Sequence, residues 1–338
     1  MFKVKVLRGE DTKKVLTMGK VIDTVEEVYR AKSLGDTTVF PLVFHEFDPG
    51  RADMDIKSGW VKSSGVYGLK SVSWFKDNIK KGIPALIGMI MIFDDKTGEP
   101  IGILDGSHIT GMRTGAAGAI GAKFLARRDS ENLLIVGTGH VALFQVAAML
   151  KSFKNLDRVF VYAPTEYKHS ETFIDSIGGK LEKDFGITHV KPVFEPVKNL
   201  EKAVGNSDII ITATPSKMPL IDSKWVKEGT HFSCIGADMK GKEEIDPNIF
   251  SSARVFTDDT RQCIEVGEIE IPVAEGILPK QNIAGEIGEV ITERIKGRER
   301  VDQITVFDAT GTALLDLLTG LLALKEAEKH KIGQTIDI

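Results

Sequence analysis

The stretch Asn132-Leu133-Leu134-Ile135-Val136-Gly137-Thr138-Gly139-His140-Val141-Ala142 decides the fold of this 338-residue chain. An unbroken apolar run ends in glycine. From His140 to Phe153 apolar residues then recur at helical spacing, with Leu143, Val146, Ala147 and Leu150 on one stripe. The order is therefore strand, glycine turn, helix. Gly137 permits the tight turn, Gly139 lets the backbone approach a ligand, and Ala142 is small enough for helix and strand to pack closely. A helix that starts at such a turn offers unpaired N–H groups and a partial positive charge to a phosphate. The same pattern also serves as a strand-to-helix turn with no ligand, so the surroundings must decide.

Working outward, the pattern repeats. Arg158–Ala163 reads as a second strand and His169–Phe185 as a helix. His189–Glu195 is a third strand, and a short helix runs through Leu200–Val204. Asp208–Thr214 is a fourth strand with β-branched residues at nearly every position, as in a strand buried on both faces of a parallel sheet. Thr230–Ala237 and Ala253–Thr257 are the fifth and sixth. Strands separated by helices imply right-handed crossovers and a doubly wound α/β sheet of the Rossmann type, in which such a glycine turn cradles the pyrophosphate of a dinucleotide.

The first 120 or so residues differ. Val66–Phe75 and Ala85–Asp94 are alternating runs, Asp94-Asp95-Lys96-Thr97-Gly98-Glu99-Pro100 has the chemistry of a hairpin loop, and Ile109–Arg127 is a helical, alanine-rich run. The chain closes with a strand, Ile304–Asp308, a Thr310-Gly311-Thr312 turn and a leucine-rich helix from Ala313 to about Lys329. The expected architecture is a Rossmann domain over 126–302 and an α+β domain assembled from 1–125 and 303–338.

Hydrophobic residues make up 42% and charged residues 27%, the balance of an ordinary globular chain. A net charge of -4 argues against a broadly basic nucleic-acid surface. The two cysteines, Cys234 and Cys263, form neither a disulfide framework nor a metal motif, and read as small buried hydrophobes. No metal site is expected. The N-terminus has charge threaded through it and no apolar stretch is long enough to span a bilayer, so a cytoplasmic location is expected.

The end of the second strand should distinguish NAD from NADP. An acidic residue there would bind the ribose 2′-hydroxyl and select NAD. The sequence has Tyr162-Ala163-Pro164-Thr165, with Ala163 at the expected acidic place and Lys168 and His169 following. Without a carboxylate, and with a cation near, the reading favours NADP over NAD. Lys168 and His169 read equally well as a solvated helix start.

Beyond the turn, further stretches resemble one family, that of ornithine cyclodeaminase, μ-crystallin (a ketimine reductase) and archaeal-type alanine dehydrogenase. They are Gly68-Leu69-Lys70-Ser71-Val72-Ser73, Thr97-Gly98-Glu99-Pro100 through Leu104-Asp105-Gly106, and Met112-Arg113-Thr114-Gly115-Ala116-Ala117. Thr212-Ala213-Thr214-Pro215-Ser216, Gly236-Ala237-Asp238 through Glu243-Glu244, and Phe307-Asp308-Ala309-Thr310-Gly311 follow in the family's order. The resemblance implies hydride transfer between a nicotinamide and the α-carbon of an amino or imino acid. By position it implies Lys70 as active-site lysine, Arg113 as binder of the substrate carboxylate and Asp238 as the acid near the reacting nitrogen. Cofactor contacts would fall on Thr114, on Gly137, Thr138, Gly139, His140, Val141 and Ala142, on Ala213, Thr214 and Pro215, and on Thr310 and Gly311; the reading of the second strand's end adds Ala163 and Thr165. The α+β domain would bind substrate and dimerise, and the active site would lie in the cleft between domains. The residue types suit the chemistry: a carboxylate stabilises a protonated imine and moves protons, a buried lysine shuttles them, and an arginine grips a carboxylate through two parallel bonds. Each of these charges, taken singly, reads as an ordinary surface charge or ion pair.

The chain also departs from the family pattern. Many relatives carry a second arginine where Leu42 stands. The position thirteen before the lysine, glutamate in ornithine cyclodeaminases and arginine in alanine dehydrogenase, is Lys57 here. Lys57, with Arg51, is a candidate for the missing positive charge at the substrate. The absent acid speaks against ornithine in particular. The main expectation is an NAD(P)-dependent oxidoreductase at a carbon–nitrogen bond. The alternatives are an ornithine cyclodeaminase-type lyase that uses bound NAD and releases proline and ammonia, and a crystallin-like protein that binds NADP or another ligand without catalysis.

Overall fold

Each strand expected from the sequence is present in the computed structural model, which describes residues 2–338. In chain order the first elements are β1 (Lys3–Leu7), α1 (Gly9–Val15), α2 (Met18–Ser33), β2 (Thr37–Val39), β3 (Val43–Asp48) and β4 (Ala52–Val61). Then come β5 (Val66–Phe75), β6 (Leu86–Asp94), β7 (Pro100–Asp105), α3 (Gly106–Leu125), β8 (Asn132–Val136), α4 (His140–Ser152) and β9 (Arg158–Tyr162). The middle continues with α5 (Tyr167–Phe185), β10 (Val193–Pro196), α6 (Leu200–Asn206), β11 (Ile209–Thr212), β12 (Lys217–Ile221), β13 (His231–Cys234) and β14 (Glu243–Ile245). The last are β15 (Arg254–Thr257), α7 (Thr260–Val266), α8 (Glu270–Ala274), β16 (Ile283–Glu286), α9 (Ile287–Ile291), β17 (Thr305–Asp308), α10 (Ala313–His330) and β18 (Gln334–Asp337). The third expected strand begins only at Val193, because Pro192 before it has no N–H to give to a ladder.

The chain divides into two compact units. One comprises the residues up to Arg113 together with Thr312–Ile338, the other Thr114–Gly311. The boundaries expected at 125 and 303 therefore move, for two physical reasons. The second half of α3 packs within unit two: a side chain at Gly115 would collide with the Phe144 backbone of α4, and Gln145 Nε2 donates to the Thr114 carbonyl at 2.8 Å. At the other end, β17 pairs in parallel with β13 and β15, inside the sheet of unit two.

Unit two holds an all-parallel sheet in the order β10-β9-β8-β11-β13-β17-β15-β16. Its first six strands follow the doubly wound dinucleotide-binding order, which reverses between β8 and β11. Ile209, Ile210 and Ile211 are fully buried, as the β-branched run required. Unit one is a mixed sheet in the order β18-β1-β7-β6-β5-β4-β2, with β3 also on β4. Every pairing in it is antiparallel except β1 with β7. Leu314, Leu317 and Leu324 of α10 approach this sheet at Gly59, Gly68 and Gly102. The alternation in β5 follows: Val66, Gly68 and Lys70 share the buried face under α10, while Tyr67, Leu69 and Ser71 face the other way. None of the described helices is long and apolar enough to cross a membrane.

Because the atoms facing Gly115 are backbone and cannot move aside, Gly115→Ala is expected to destabilise the protein by about 2 kcal/mol or more, the usual cost of overpacking. Denaturant unfolding measures this, and a variant as stable as the parent would show that the α3–α4 contact is looser than described.

Candidate functional site

In unit two, Gly137 has φ +114°, which only glycine adopts freely. Its N–H donates to the Tyr162 carbonyl at 2.8 Å, and a side chain there would press on the Ala213 carbonyl. Gly139 precedes α4 in extended backbone, and a Cβ built on it meets nothing within 4 Å. No side chain caps this helix. Thr138 and Val141 are half-buried, Ala142 is buried, and the His140 ring stands edge-on to Phe144, which leaves the helix start open. An uncapped helix N-terminus facing open space fits the pyrophosphate of a dinucleotide.

Because the sheet is parallel, the expected cofactor positions that follow its strands also lie at its C-terminal edge. Ala163 follows β9. It is buried, with its N–H on Ser170 Oγ at 2.9 Å. Thr165 is exposed, its hydroxyl 2.9 Å from His169 Nδ1. Ala213, Thr214 and Pro215 follow β11. Thr310 and Gly311 follow β17, where their N–H groups donate to buried Asp258 at 3.3 and 2.7 Å. Thr114 is buried in α3. Asp238 lies in the loop beyond β13, exposed and ion-paired to Lys242. Cys234 and Cys263 are fully buried, and burial pushes both thiols well above their ordinary range, so neither is a ready nucleophile. Among the described residues no group of three or more histidine, cysteine or carboxylate side chains is placed to hold a metal.

In unit one, Lys70 and Arg113 meet on a carboxylate that sequence reasoning missed. Asp316 Oδ2 is 2.9 Å from Lys70 Nζ, and Oδ1 accepts from Arg113 Nε at 3.0 Å. Asp316 is fully buried, and Lys70 and Arg113 are nearly so. Burial, opposed by Asp316 and reinforced by Arg113 and Lys57, lowers the Lys70 ammonium to about 8. The two cations hold the Asp316 carboxyl below its usual range against the cost of burial. The triad carries two positive charges and one negative, a surplus that a ligand carboxylate would neutralise.

Lys57 pairs directly with Lys70 across β4 and β5, so both stand on the same face. Leu42, one residue before the Val43–Ile56 pair, falls at the same level. Arg51, by contrast, turns to Asp77 and Asp48 on an exposed loop and is not part of this cluster. One rung on, Asp55 pairs with Val72 and with Phe44, on the face of Lys57 and Lys70. The acid that the sequence lacks at position 57 thus occurs two residues earlier. Asp316 too had a sequence signal: a single charge within Ala-Leu-Leu-Asp-Leu-Leu must be paired if the helix is buried.

These features define the class: a dinucleotide-binding α/β unit joined to an α+β unit that carries a buried lysine–arginine–aspartate cluster. The profile of the ornithine cyclodeaminase/mu-crystallin family matches residues 3–329, and the chain belongs to that family. The alanine dehydrogenase of Archaeoglobus fulgidus is 33% identical over 332 residues, covering 98% of this chain and 97% of that protein. A solved archaeal alanine dehydrogenase dimer with bound NAD superposes with a TM-score of 0.90 at 31% identity, covering both chains fully (100% and 100%). The Delta(1)-pyrroline-2-carboxylate reductase of Thermococcus litoralis, solved with NADH and L-proline, does so with a TM-score of 0.90 at 29% identity, covering 98% of this chain and 100% of that one. The expected family, its Rossmann-type fold and its oxidoreductase character at amino and imino acids agree with these relatives.

Asp316→Asn keeps the shape but leaves Lys70 and Arg113 buried without their counter-charge. Breaking a buried pair in this way is expected to cost about 3–5 kcal/mol, read in denaturant unfolding. A loss within about 1 kcal/mol, the range of exposed pairs, would place the cluster in water.

Proposed function

We propose that this protein is a nicotinamide-dependent imino-acid reductase or amino-acid dehydrogenase. The surplus positive charge of the buried Lys70–Asp316–Arg113 cluster carries this reading, because it asks for a substrate carboxylate. Arg113 keeps Nη1 and Nη2 for that group while Nε is held by Asp316. Lys57, directly paired with Lys70, adds charge beside the cluster, and carboxylate binding raises the proton affinity of Lys70. When bound at the glycine turn, the nicotinamide supplies or accepts the hydride at the substrate α-carbon. Asp238 stabilises the protonated imine and returns a proton to the nitrogen. The dinucleotide would be held by Thr114, the 137–142 turn, Thr165, Ala213-Thr214-Pro215 and Thr310-Gly311. NADP is the preferred form, since Ala163 offers no carboxylate to the ribose and Thr165 and Lys168 stand nearby.

The same reading makes the protein a homodimer through the outer face of the unit-one sheet. Val43 on β3 and Ile87 and Met89 on β6 are about half exposed, and register places them with Ile56 and Met54 on one face, with Ser71 and Ser73 of β5 between. A patch of that kind on a soluble chain marks an interface, and a two-fold pairing of identical sheets covers it with itself.

The test follows reduced-nicotinamide absorbance with NADPH and NADH, against cyclic ketimines and against 2-oxo acids with ammonia. Net cofactor turnover is expected, faster with NADPH, and Asp238→Asn should abolish most of it while cofactor affinity stays. Proline and ammonia from ornithine without net turnover would replace this reading with a lyase. In the reductive direction kcat/KM should fall as pH rises through about 8, where Lys70 loses the proton that helps bind the carboxylate. A flat profile there would remove Lys70 from substrate binding. For the assembly, light scattering should give a dimer mass for the parent and a monomer mass for Met89→Glu; a parent monomer would refute the interface.

A further inference from the structure

We propose that Glu244 is a positioning residue, a buried carboxylate that locks the loop after β11 to the loop after β13. The inference rests on the proposed function, since the first loop carries Ala213-Thr214-Pro215 and the second carries Asp238. Glu244 is fully buried. Its Oε1 accepts from the Thr214 N–H at 2.6 Å and from Thr214 Oγ1 at 2.8 Å, while Oε2 accepts from the Gly236 N–H at 2.9 Å. Three donors from two loops thus converge on one side chain. A side chain at Gly236 would collide with the Thr214 carbonyl and with both Glu244 oxygens, so the two loops and the carboxylate are packed as one piece. Both oxygens act only as acceptors, which is the pattern of an ionised carboxylate.

Beneath it lies a second buried acid with the opposite pattern. Glu268 Oε1 accepts from the N–H groups of Glu244 and Ile245 at 2.7 and 2.8 Å, whereas Oε2 is buried and meets no hydrogen-bond partner among the described residues. Burial and the Glu244 charge push Glu268 well above the usual carboxyl range. Burial raises Glu244 as well, but the Thr214 and Gly236 bonds oppose that rise, so of these two adjacent acids the hydrogen bonds favour the charge on Glu244. Glu268 is the neutral partner that fixes the backbone of Glu244 and so aims its side chain.

This division makes the two amide variants unequal. Glu244→Gln turns an –NH₂ toward a backbone N–H, donor against donor, and frees one of the loops. Glu268→Gln replaces a protonated oxygen that has no partner and keeps both bonds to Oε1. With the full-length, cofactor-loaded protein, Glu244→Gln is expected to lower kcat by about tenfold to a hundredfold and to weaken dinucleotide binding, as loss of alignment at a reacting centre does. Glu268→Gln should stay within about twofold of the parent in both. A Glu244→Gln variant that only melts earlier, with kcat and dinucleotide affinity unchanged, makes Glu244 merely structural and overturns the proposal. A Glu268→Gln loss as large as that of Glu244→Gln overturns the assignment of the charge.

Should Glu244→Gln fail to fold, proton–nitrogen NMR of the parent decides. The amides of Thr214 and Gly236 should resonate far downfield and exchange slowly, as charge-assisted bonds do, and ordinary positions with fast exchange would overturn the proposal. The NMR result stands whether or not the parent turns over an imino acid, so failure of the functional reading and failure of this inference are told apart.

Discussion

A carboxylate cut off from water must be matched in charge and in hydrogen bonds, and unit one is arranged around meeting that demand at Asp316. It projects from the first turn of α10 and is met by Lys70 from β5 and Arg113 from α3. Three elements distant in sequence are thereby fixed at one point. Leu314 and Leu317 beside Asp316 lie over Gly59 and Gly68, so the same helix that supplies the charge also seals it from solvent. The cations exceed the acid by one. Burial first, and the neighbouring cations after it, lower the proton affinity of Lys70, and an incoming carboxylate would oppose both.

Unit two applies the same rule to backbone groups. Where parallel strands end, N–H groups lose their ladder partners, and side-chain carboxylates take them up: Asp258 for Thr310 and Gly311, Glu244 for Thr214 and Gly236. The start of α4 is different, with no side-chain cap and open space at Gly139. The sheet edge is tied down by buried acids, while the start of α4 stays open.

Much of this was legible in the sequence because it is local. The order of strand, Gly137-Thr138-Gly139 and helix follows from neighbouring residues, as do the β-branched run ending at Thr212 and the alternation in β5. Lys70 and Arg113 stood out through motifs that have a fixed order along the chain, and the structure brings these two together on Asp316. The ends of the domains were not. Periodicity reports that α3 is a helix but not which unit its small residues press against, and it reports β17 as a strand but not its neighbours. Arg51 and Lys57 looked equivalent as sources of charge, and register separated them: Lys57 pairs with Lys70, while Arg51 turns to Asp77.

By itself the sequence determined the class of fold and the place of the glycine turn before α4, since these depend on short-range spacing and on backbone freedom at a few glycines. Only the tertiary structure decided which charges stand together. Asp316 lies far along the chain from Lys70 and Arg113, Asp55 enters the Lys57 face through strand register, and Glu244 binds loops from two different strands. Burial sets the energy of such charges, and burial is a property of the packed chain, not of any one segment of it.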